Sequence, residues 1–157
     1  MNQIVVTAVA SAAAIAPADW QRLCPAGDPF LNGDFLAILE RHGTAGPACG
    51  WQAHHLVAQN ADGRLLGILP LYLRGNSYGD FTGDWSWAEA FQQAGHAYYP
   101  KLLTGLPHTP ATGPRLLTID DVPAVRGALI AAAQKMLAEH GLSSWHVAFP
   151  AEPDLSA

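Results

Sequence analysis

The dipeptide Asp62-Gly63, which separates two apolar runs, constrains the fold of this chain more than any other feature. Asp-Gly between apolar segments is typical of a tight β-hairpin turn. We therefore predict antiparallel strands at residues 54–60 and 64–74. Pro70 lies within the second run, and because proline cannot donate to a sheet ladder, it predicts a bulge or an unpaired edge there.

Two amphipathic helices are predicted before the hairpin. The first begins at Pro17, and its apolar residues recur at helical spacing. The second is expected to begin at Asp28-Pro29, because aspartate caps helices and proline fits the first turn. Asn32 and Asp34 are alternative caps for this second helix.

The C-terminal third predicts the longest helix, at residues 123–139, capped by Asp120 or Asp121 and ended by Gly141. Further strands are predicted at residues 4–9, 101–106, 115–119 and 145–149, whereas the tail after Pro150 is interpreted as a boundary. The N-terminal run has small residues like those of a signal-peptide cleavage site but no basic residue before it, so we favour a strand. Helices interspersed with a hairpin predict an α/β fold with a mixed β-sheet and flanking helices.

Charge is scarce in this chain of 157 residues. Charged residues make up 13%, the net charge is −5, and 50% of residues are hydrophobic, whereas typical domains carry about 25% charged residues. This composition excludes intrinsic disorder and argues against a broad basic face for nucleic acid. The low charge predicts that part of the surface packs against another domain or a second copy of the chain.

Cysteine usage and hydropathy suggest the compartment. Cys24 and Cys49 form no C-x-x-C pair, so we interpret them as reduced thiols in a cytoplasmic protein, with a disulfide between them as the alternative. No charge-free apolar run approaches the roughly 20 residues of a transmembrane helix.

The irregular stretch at residues 75–100 is the most informative region for function, because long loops without regular structure are usually functional or disordered. It has one short helical patch, at residues 87–93. Asp80 and Asp84 are candidates for a general base or for holding an amine, or are turn residues. Trp85, Trp87, Tyr98 and Tyr99 either face a ligand or anchor the loop in the core. Lys101 either binds an anionic group or is solvated.

Common catalytic motifs do not account for the chain. The seven histidines show no metal-ligand spacing, so no metal site is expected. Neither a G-x-S-x-G elbow nor a glycine-rich phosphate loop is present.

Several short motifs in succession nevertheless resemble one family, the FemAB-like predicted N-acyltransferases of the GNAT superfamily, often described as peptidoglycan biosynthesis or recognition proteins. The resemblance covers residues 19–149, and its motifs are Asp28-Pro29-Phe30-Leu31, Gly50-Trp51-Gln52, Leu69-Pro70-Leu71-Tyr72-Leu73, Ser77-Tyr78-Gly79, Asp84-Trp85-Ser86-Trp87-Ala88, Tyr98-Tyr99-Pro100-Lys101-Leu102, Thr109-Pro110-Ala111-Thr112-Gly113-Pro114-Arg115 and His140-Gly141-Leu142-Ser143-Ser144. Each motif alone is weak, and the combination is specific.

The resemblance implies a GNAT-like fold that is incomplete here. Such proteins have two GNAT-like domains in tandem, and residues 1–157 are similar to the N-terminal one, which implies a C-terminal GNAT-like half as partner. The acyl-CoA signature Q/R-x-x-G-x-G/A is missing, and residues 108–115 take its place without matching it. We therefore expect acyl-CoA to be a cofactor of the whole protein and not of this chain.

The function implied by the resemblance is transfer of an acyl or aminoacyl group to an amine, such as a peptidoglycan precursor. The alternative is a non-catalytic domain that binds a glycan or peptide or supports its partner. The resemblance assigns no individual catalytic residue. We expect six residues to face the substrate: Asp84, Trp85, Tyr98, Tyr99, Lys101 and Arg115.

Overall fold

A computed structural model describes residues 3–78, 80–81 and 83–155. The strands are β1 Val5–Val9, β2 Trp51–Ala53, β3 His55–Gln59, β4 Leu65–Leu69, β5 Tyr72–Arg74, β6 Lys101–Thr104, β7 Leu117–Thr118 and β8 Trp145–Val147. The helices are α1 Pro17–Leu23, α2 Gly33–Arg41, α3 Trp85–Gln93, α4 Pro123–Glu139 and α5 Glu152–Leu155. The mixed α/β class is therefore confirmed.

The described strands form two four-stranded sheets rather than one. The first has the order β1-β3-β4-β7, and the second has the order β2-β5-β6-β8. The first sheet is antiparallel, and β8 pairs with β6 in parallel in the second. The N-terminal strand and the short strand near residue 117 are both present, as the sequence predicts.

One long bent hairpin joins the two sheets. Its arms are β2 with β3 and β4 with β5, and the bend lies at His54 and Pro70. The backbone N–H of His54 donates to the carbonyl of Leu71 at 2.8 Å, which continues the pairing across the bend. The predicted hairpin is confirmed, and the break expected at Pro70 is where the second arm passes from one sheet to the other.

Helices cover both faces of the first sheet. Alternate side chains of a strand point to opposite faces, so Val57 of β3 packs in the cluster with Trp20 and Leu36 of α1 and α2. Its neighbour Leu56 packs in the cluster with Leu129 of α4. The core is thus divided into two apolar layers with the sheet between them.

Helix α2 begins later than the preferred prediction. The carboxylate of Asp28 accepts hydrogen bonds from the backbone N–H groups of Phe30 and Leu31, at 2.9 and 3.0 Å, and so closes a turn rather than opening a helix. Asn32, one of the alternative caps, accepts from the N–H of Asp34 at 2.8 Å. An aspartate before a proline is compatible with a helix start or with a turn, and here it forms a turn.

Helix α4 has the predicted bounds but not the predicted cap. Val122 is its N-cap residue and makes no side-chain cap hydrogen bond, so the expectation that Asp120 or Asp121 caps this helix is wrong. Asp120 instead lies in the preceding 3₁₀ turn with a left-handed φ of 54°. Pro123 at the first helical position lacks an N–H group, so one fewer donor needs a cap there.

A buried polar network ties α2 to both arms of the hairpin. Glu40 accepts hydrogen bonds from the Nε2 of His55 at 2.7 Å and from the hydroxyl of Tyr72 at 3.1 Å. The backbone N–H of Leu71 donates to the Nδ1 of His55 at 3.2 Å, so Nε2 must carry the proton given to Glu40. Burial acts to raise the pKa of Glu40, but the hydrogen bonds from His55, Ser11 and Ala12 outweigh it and lower the pKa.

Three other expectations have clear outcomes. Cys24 and Cys49 are free thiols, as predicted. The tail expected to be a boundary contains the short helix α5. Within the described ranges, no helix has both the length and the hydropathy to cross a membrane.

Candidate functional site

The side chain of Asp84 is the centre of a buried polar cluster formed by the irregular middle of the chain. Asp84 directly precedes α3, which begins two residues earlier than the predicted helical patch. Its Oδ2 accepts hydrogen bonds from the hydroxyls of Ser77 and Tyr98, each at 3.1 Å, and from the Nζ of Lys101. Its Oδ1 is 3.4 Å from the hydroxyl of Tyr99. We call these five residues the Asp84 cluster.

Lys101 supplies the positive charge of this cluster. It is the first residue of β6 and is buried. Its Nζ lies 4.5 Å from the centre of the Tyr98 ring and 5.5 Å from that of Tyr99. A cation over aromatic rings is attracted by their negative faces, so the ammonium is compensated by the Asp84 carboxylate and by two rings.

The surroundings of Asp84 keep it ionised. Burial acts to raise its pKa, but the hydrogen bonds from Lys101 and Ser77, together with the charge of Lys101, outweigh burial and lower the pKa. Three donors point at Oδ2, whereas the single hydroxyl proton of Tyr99 goes to Ser77 at 2.8 Å, and the Tyr99 oxygen lies 3.4 Å from Oδ1. Asp84 is therefore a buried ion-pair partner of Lys101 that stays ionised.

Trp85, the next residue, lies on the surface. Its side chain is 47% exposed, and its ring centre is 5.0 Å from that of Tyr78, which is 71% exposed. We call these two residues the aromatic pair. The two rings form a contiguous exposed aromatic surface beside the buried cluster, a feature that interaction sites use, so we take the pair as the outward-facing part of the candidate site.

Arg115 lies apart from the Asp84 cluster. Its buried guanidinium donates to the carbonyls of Ala148 at 2.9 Å, Ala111 at 2.6 Å and Pro114 at 3.2 Å. These bonds hold the proline-rich loop against the end of β8. The structure thus brings together Asp84, Tyr98, Tyr99 and Lys101, places Trp85 beside them at the surface, and gives Arg115 a bracing position elsewhere.

Four further residues join the site although none was among the six expected to face the substrate: Tyr78 of the aromatic pair, Ser77, Ser144 and His146. Ser77 donates to Asp84, and the hydroxyl of Tyr99 donates to Ser77 at 2.8 Å. The ring of His146 lies 5.9 Å from that of Tyr98, and its Nε2 is 2.9 Å from the Oγ of Ser144. In the sequence, the Ser-Tyr-Gly-Asp run of the loop was the signal that could have indicated Ser77 and Tyr78. Nothing in the sequence of β8 indicated a role for His146.

The environment of His146 favours its neutral form. Burial and the charge of Lys101 lower its pKa, and the charge of Asp84 opposes them. Elsewhere, the part of the chain that the structure describes contains no group of three His, Cys, Asp or Glu residues that could hold a metal ion.

Comparison with known proteins gives one result. A family model described as FemAB-like, peptidoglycan biosynthesis/recognition, matches residues 11–157. No curated protein and no solved structure matches the chain significantly. The match covers almost the whole chain and includes the aromatic pair, the Asp84 cluster and Arg115.

Proposed function

Because this chain belongs to the FemAB-like family of peptidoglycan biosynthesis or recognition, we propose that it recognises a peptidoglycan precursor for an N-acyl transfer reaction. In this proposal it is the N-terminal, GNAT-like domain of a longer cytoplasmic protein. A C-terminal GNAT-like half supplies the acyl-donor site. The role of this domain is to hold the acceptor substrate.

The observation that carries the proposal is the exposed aromatic pair, Tyr78 and Trp85, on a rigid buried support. Trp85 directly follows Asp84, whose carboxylate is bonded to Ser77, Tyr98 and Lys101. Tyr78 directly follows Ser77. The Asp84 cluster therefore fixes the backbone at the base of both exposed rings, and a surface held in position before binding loses little conformational entropy on binding.

The chemistry of the cluster also favours recognition over catalysis. A general base must be within reach of the substrate and must have a free lone pair at working pH. Asp84 lacks the first property, since its side chain is only 6% exposed and is paired with Lys101. Lys101 is equally enclosed, so neither group is suited to receive the proton of an attacking amine.

The loop in the place of the acyl-CoA signature does not fit a pyrophosphate group. Pyrophosphate loops present several free backbone N–H groups, but this loop contains Pro110 and Pro114, which have none. The N–H of Gly113 already donates to the carbonyl of Phe149 at 3.2 Å. Arg115 is committed to three carbonyls. We therefore assign the acyl donor to the rest of the protein.

The proposal is tested by titrating this chain with UDP-N-acetylmuramoyl-pentapeptide in a calorimeter. We expect saturable binding, whereas acetyl-CoA should give no heat of binding with the same protein. Absence of binding to the precursor would contradict the recognition role, and acetyl-CoA binding would contradict the assignment of the donor site.

The environment of His146 favours a second candidate function, in which this domain takes part in the transfer reaction itself. Its imidazole is partly exposed, holds a Ser144 hydrogen bond and is kept neutral beside Lys101. A neutral imidazole is the commonest acceptor of a proton from an attacking nucleophile. In this version His146 takes the proton that the acceptor amine loses when its nitrogen bonds to the acyl carbon. The bond from that carbon to the sulfur of acyl-CoA then breaks, and the thiolate leaves with its electron pair and takes up the proton from His146.

The two candidates differ in what His146→Gln does to a longer protein that contains both halves. If His146 is the base, kcat falls about 100-fold or more, with KM for the precursor nearly unchanged. Under the recognition proposal, kcat stays within about twofold of the parent protein, since His146 then has only a supporting role.

The scarcity of charged residues supports the part of this proposal in which a surface of the domain packs against the C-terminal half. Apolar side chains that include Val147 and Phe149 are exposed at and after β8. We propose that this edge faces the C-terminal half, and that a second copy covers it in the isolated domain. Light scattering of this chain should then give a dimer, and of the longer protein a monomer.

A further inference from the structure

An open cleft lies between the 3₁₀ turn at Ala12–Ala14, α1, the loop at residues 25–28 and α2. Its volume is about 630 Å³, which is within the range of small-ligand sites. It shares no lining residue with the aromatic pair or the Asp84 cluster. Small residues leave this space unfilled on several sides: Ala12, Ala13, Ala26, Gly27, Gly33 and Ala37.

The floor of the cleft is fixed before any ligand binds. The buried lining residues are Ala12, Ile15 and Trp20. The Nε1 of Trp20 donates to the carbonyl of Ala12 at 3.2 Å, and a Cβ at Gly33 would overlap the Trp20 ring. Glycine at this position thus lets α2 pack directly on the ring. A site that is already rigid loses little conformational entropy on binding.

Two opposite charges lie on the rim of the cleft, at the two ends of α2. Asp34 is in the first turn and Arg41 is in the last, and both are exposed. Seven residues are nearly two full turns, so both lie on one face of the helix, about 10 Å apart along its axis. Within the described part of the chain, neither side chain takes part in an ion pair. A third charged residue of the lining, Asp28, is bonded to the turn before α2.

The wall between these two charges is apolar. Ala37 and Ile38 lie between Asp34 and Arg41 on the same helix, and Ile38 is 47% exposed. The lining from the other side includes Pro17, and Gln21 of α1 adds one amide that can both donate and accept hydrogen bonds.

The signs and the separation of the charges select the class of ligand. A ligand with an ammonium group at one end and a carboxylate at the other complements Asp34 and Arg41 together. A polyamine would place a cation against Arg41, and a dicarboxylate would place an anion against Asp34. An extended peptide spans about 3.3–3.6 Å per residue, so three residues cover about 10 Å.

We propose that this cleft binds a free tripeptide of small apolar residues. Its ammonium group lies at Asp34, its carboxylate at Arg41, and its side chains against Ala37 and Ile38, with Gln21 as a hydrogen-bond partner of its peptide groups. This inference goes beyond the proposed function, because the cleft and the aromatic pair are separate surfaces.

The test follows the backbone N–H signals of Ala13, Ala37 and Ile38 in ¹⁵N–¹H spectra of the whole chain. The probe is trialanine, and the matched control is the same peptide with an acetylated N-terminus and an amidated C-terminus, which carries neither charge. We expect saturable shifts with trialanine. The blocked peptide should bind at least about fourfold more weakly, since two ion pairs are lost. Trp85→Ala should leave trialanine binding unchanged.

Two variants of exposed residues assign the two charges. Arg41→Gln should weaken trialanine binding about twofold to fivefold but leave binding of trialanine amide, which has no carboxylate, unchanged. Asp34→Asn should weaken trialanine binding to the same degree and leave binding of acetyl-trialanine, which has no ammonium group, unchanged. Arg64→Gln, at an exposed position outside the cleft lining, is the control and should change none of these affinities.

No saturable shift with trialanine would overturn the proposal, as would equal binding of the blocked peptide. Arg41→Gln protein that loses as much affinity for the amide as for the free peptide would overturn it as well. A chain that binds trialanine but not the whole precursor would contradict the proposed function alone.

Discussion

Lys101 and Asp84 form an ion pair in the interior, with side chains that are only 2% and 6% exposed. Lys101 begins β6, and Asp84 precedes α3, so the pair joins the irregular middle of the chain to the second sheet. Two charges removed from water are stable only when they are paired and hydrogen-bonded. The cluster is therefore expected to set the shape of the loop around it.

Replacement of Lys101 by methionine tests this structural role. The change leaves the Asp84 carboxylate buried without its counter-ion, so we expect the free energy of unfolding to fall by about 3–5 kcal/mol. Urea denaturation followed by circular dichroism measures the loss. Lys135→Met, which removes an exposed pair with Glu139, is the control and should change stability by less than about 1 kcal/mol. A loss at Lys101 as small as this control would show that the pair does not hold the loop.

Arg115 is expected to stabilise the fold without contacting the ligand. Arg115→Ala leaves the carbonyls of Ala111 and Ala148 without their charged donor, so stability should fall by about 2–4 kcal/mol in urea. Precursor affinity, measured at a temperature where the variant is folded, should be unchanged. Arg64→Ala, at an exposed position of the hairpin turn, is the control. Lost affinity in folded Arg115→Ala protein would restore Arg115 to the substrate-facing set.

Stability should depend on pH through His146. Its pKa in the folded protein is lowered by burial and by Lys101, whereas in the unfolded chain it is about 6.5. The unfolded state therefore binds more protons below about pH 6.5, and this contribution to stability is lost as the pH falls below that value through the lowered pKa of the folded state. His146→Gln should flatten the slope over this range in urea titrations, whereas His96→Gln, at an exposed position, should not. A slope unchanged by His146→Gln would contradict the account.

Two glycines should respond in opposite directions to alanine. A Cβ at Gly67 of β4 would lie 2.9 Å from the Cγ1 of Val125 and 3.0 Å from the carbonyl oxygen of Leu117, so Gly67→Ala should cost about 1–3 kcal/mol. Gly127, within α4, has no atom within 4 Å of such a Cβ. Gly127→Ala should therefore stabilise the protein by about 0.5–1 kcal/mol. Thermal unfolding measures both, and equal effects would show that α4 does not pack closely on β4.

Local signals in the sequence were sufficient for much of the fold. Asp62-Gly63 predicts the hairpin because this pair fits a tight turn, and the apolar spacing of α4 predicts its bounds. The cap of α2 was ambiguous because Asp28 makes the same kind of side-chain bond in a turn as at a helix start. The division into two sheets depends on pairing across the bend at His54, which no local pattern encodes.

The candidate site was only partly predictable for the same reason. Asp84, Tyr98, Tyr99 and Lys101 attracted notice as polar and aromatic residues of one irregular region, and they do meet. Arg115 lies outside that region, in a motif of the resemblance, and its carbonyl partner Ala148 is distant in sequence. Asp34 and Arg41 gave no signal of a binding role, because each resembles an ordinary exposed helix residue until the fold places a cleft beside α2.

Recognition of the precursor by the aromatic pair is tested most directly by the affinity of Trp85→Ala for UDP-N-acetylmuramoyl-pentapeptide, measured by calorimetry beside Trp87→Ala. Both are exposed tryptophans of α3, but two residues along a helix point to different sides, and Trp85 is the one whose ring contacts Tyr78. We predict that Trp85→Ala raises Kd about threefold to tenfold with an unchanged melting temperature, and that Trp87→Ala leaves Kd as it is. Equal effects of the two changes, or a large loss of stability in Trp85→Ala, would contradict the proposal that the aromatic pair binds the precursor.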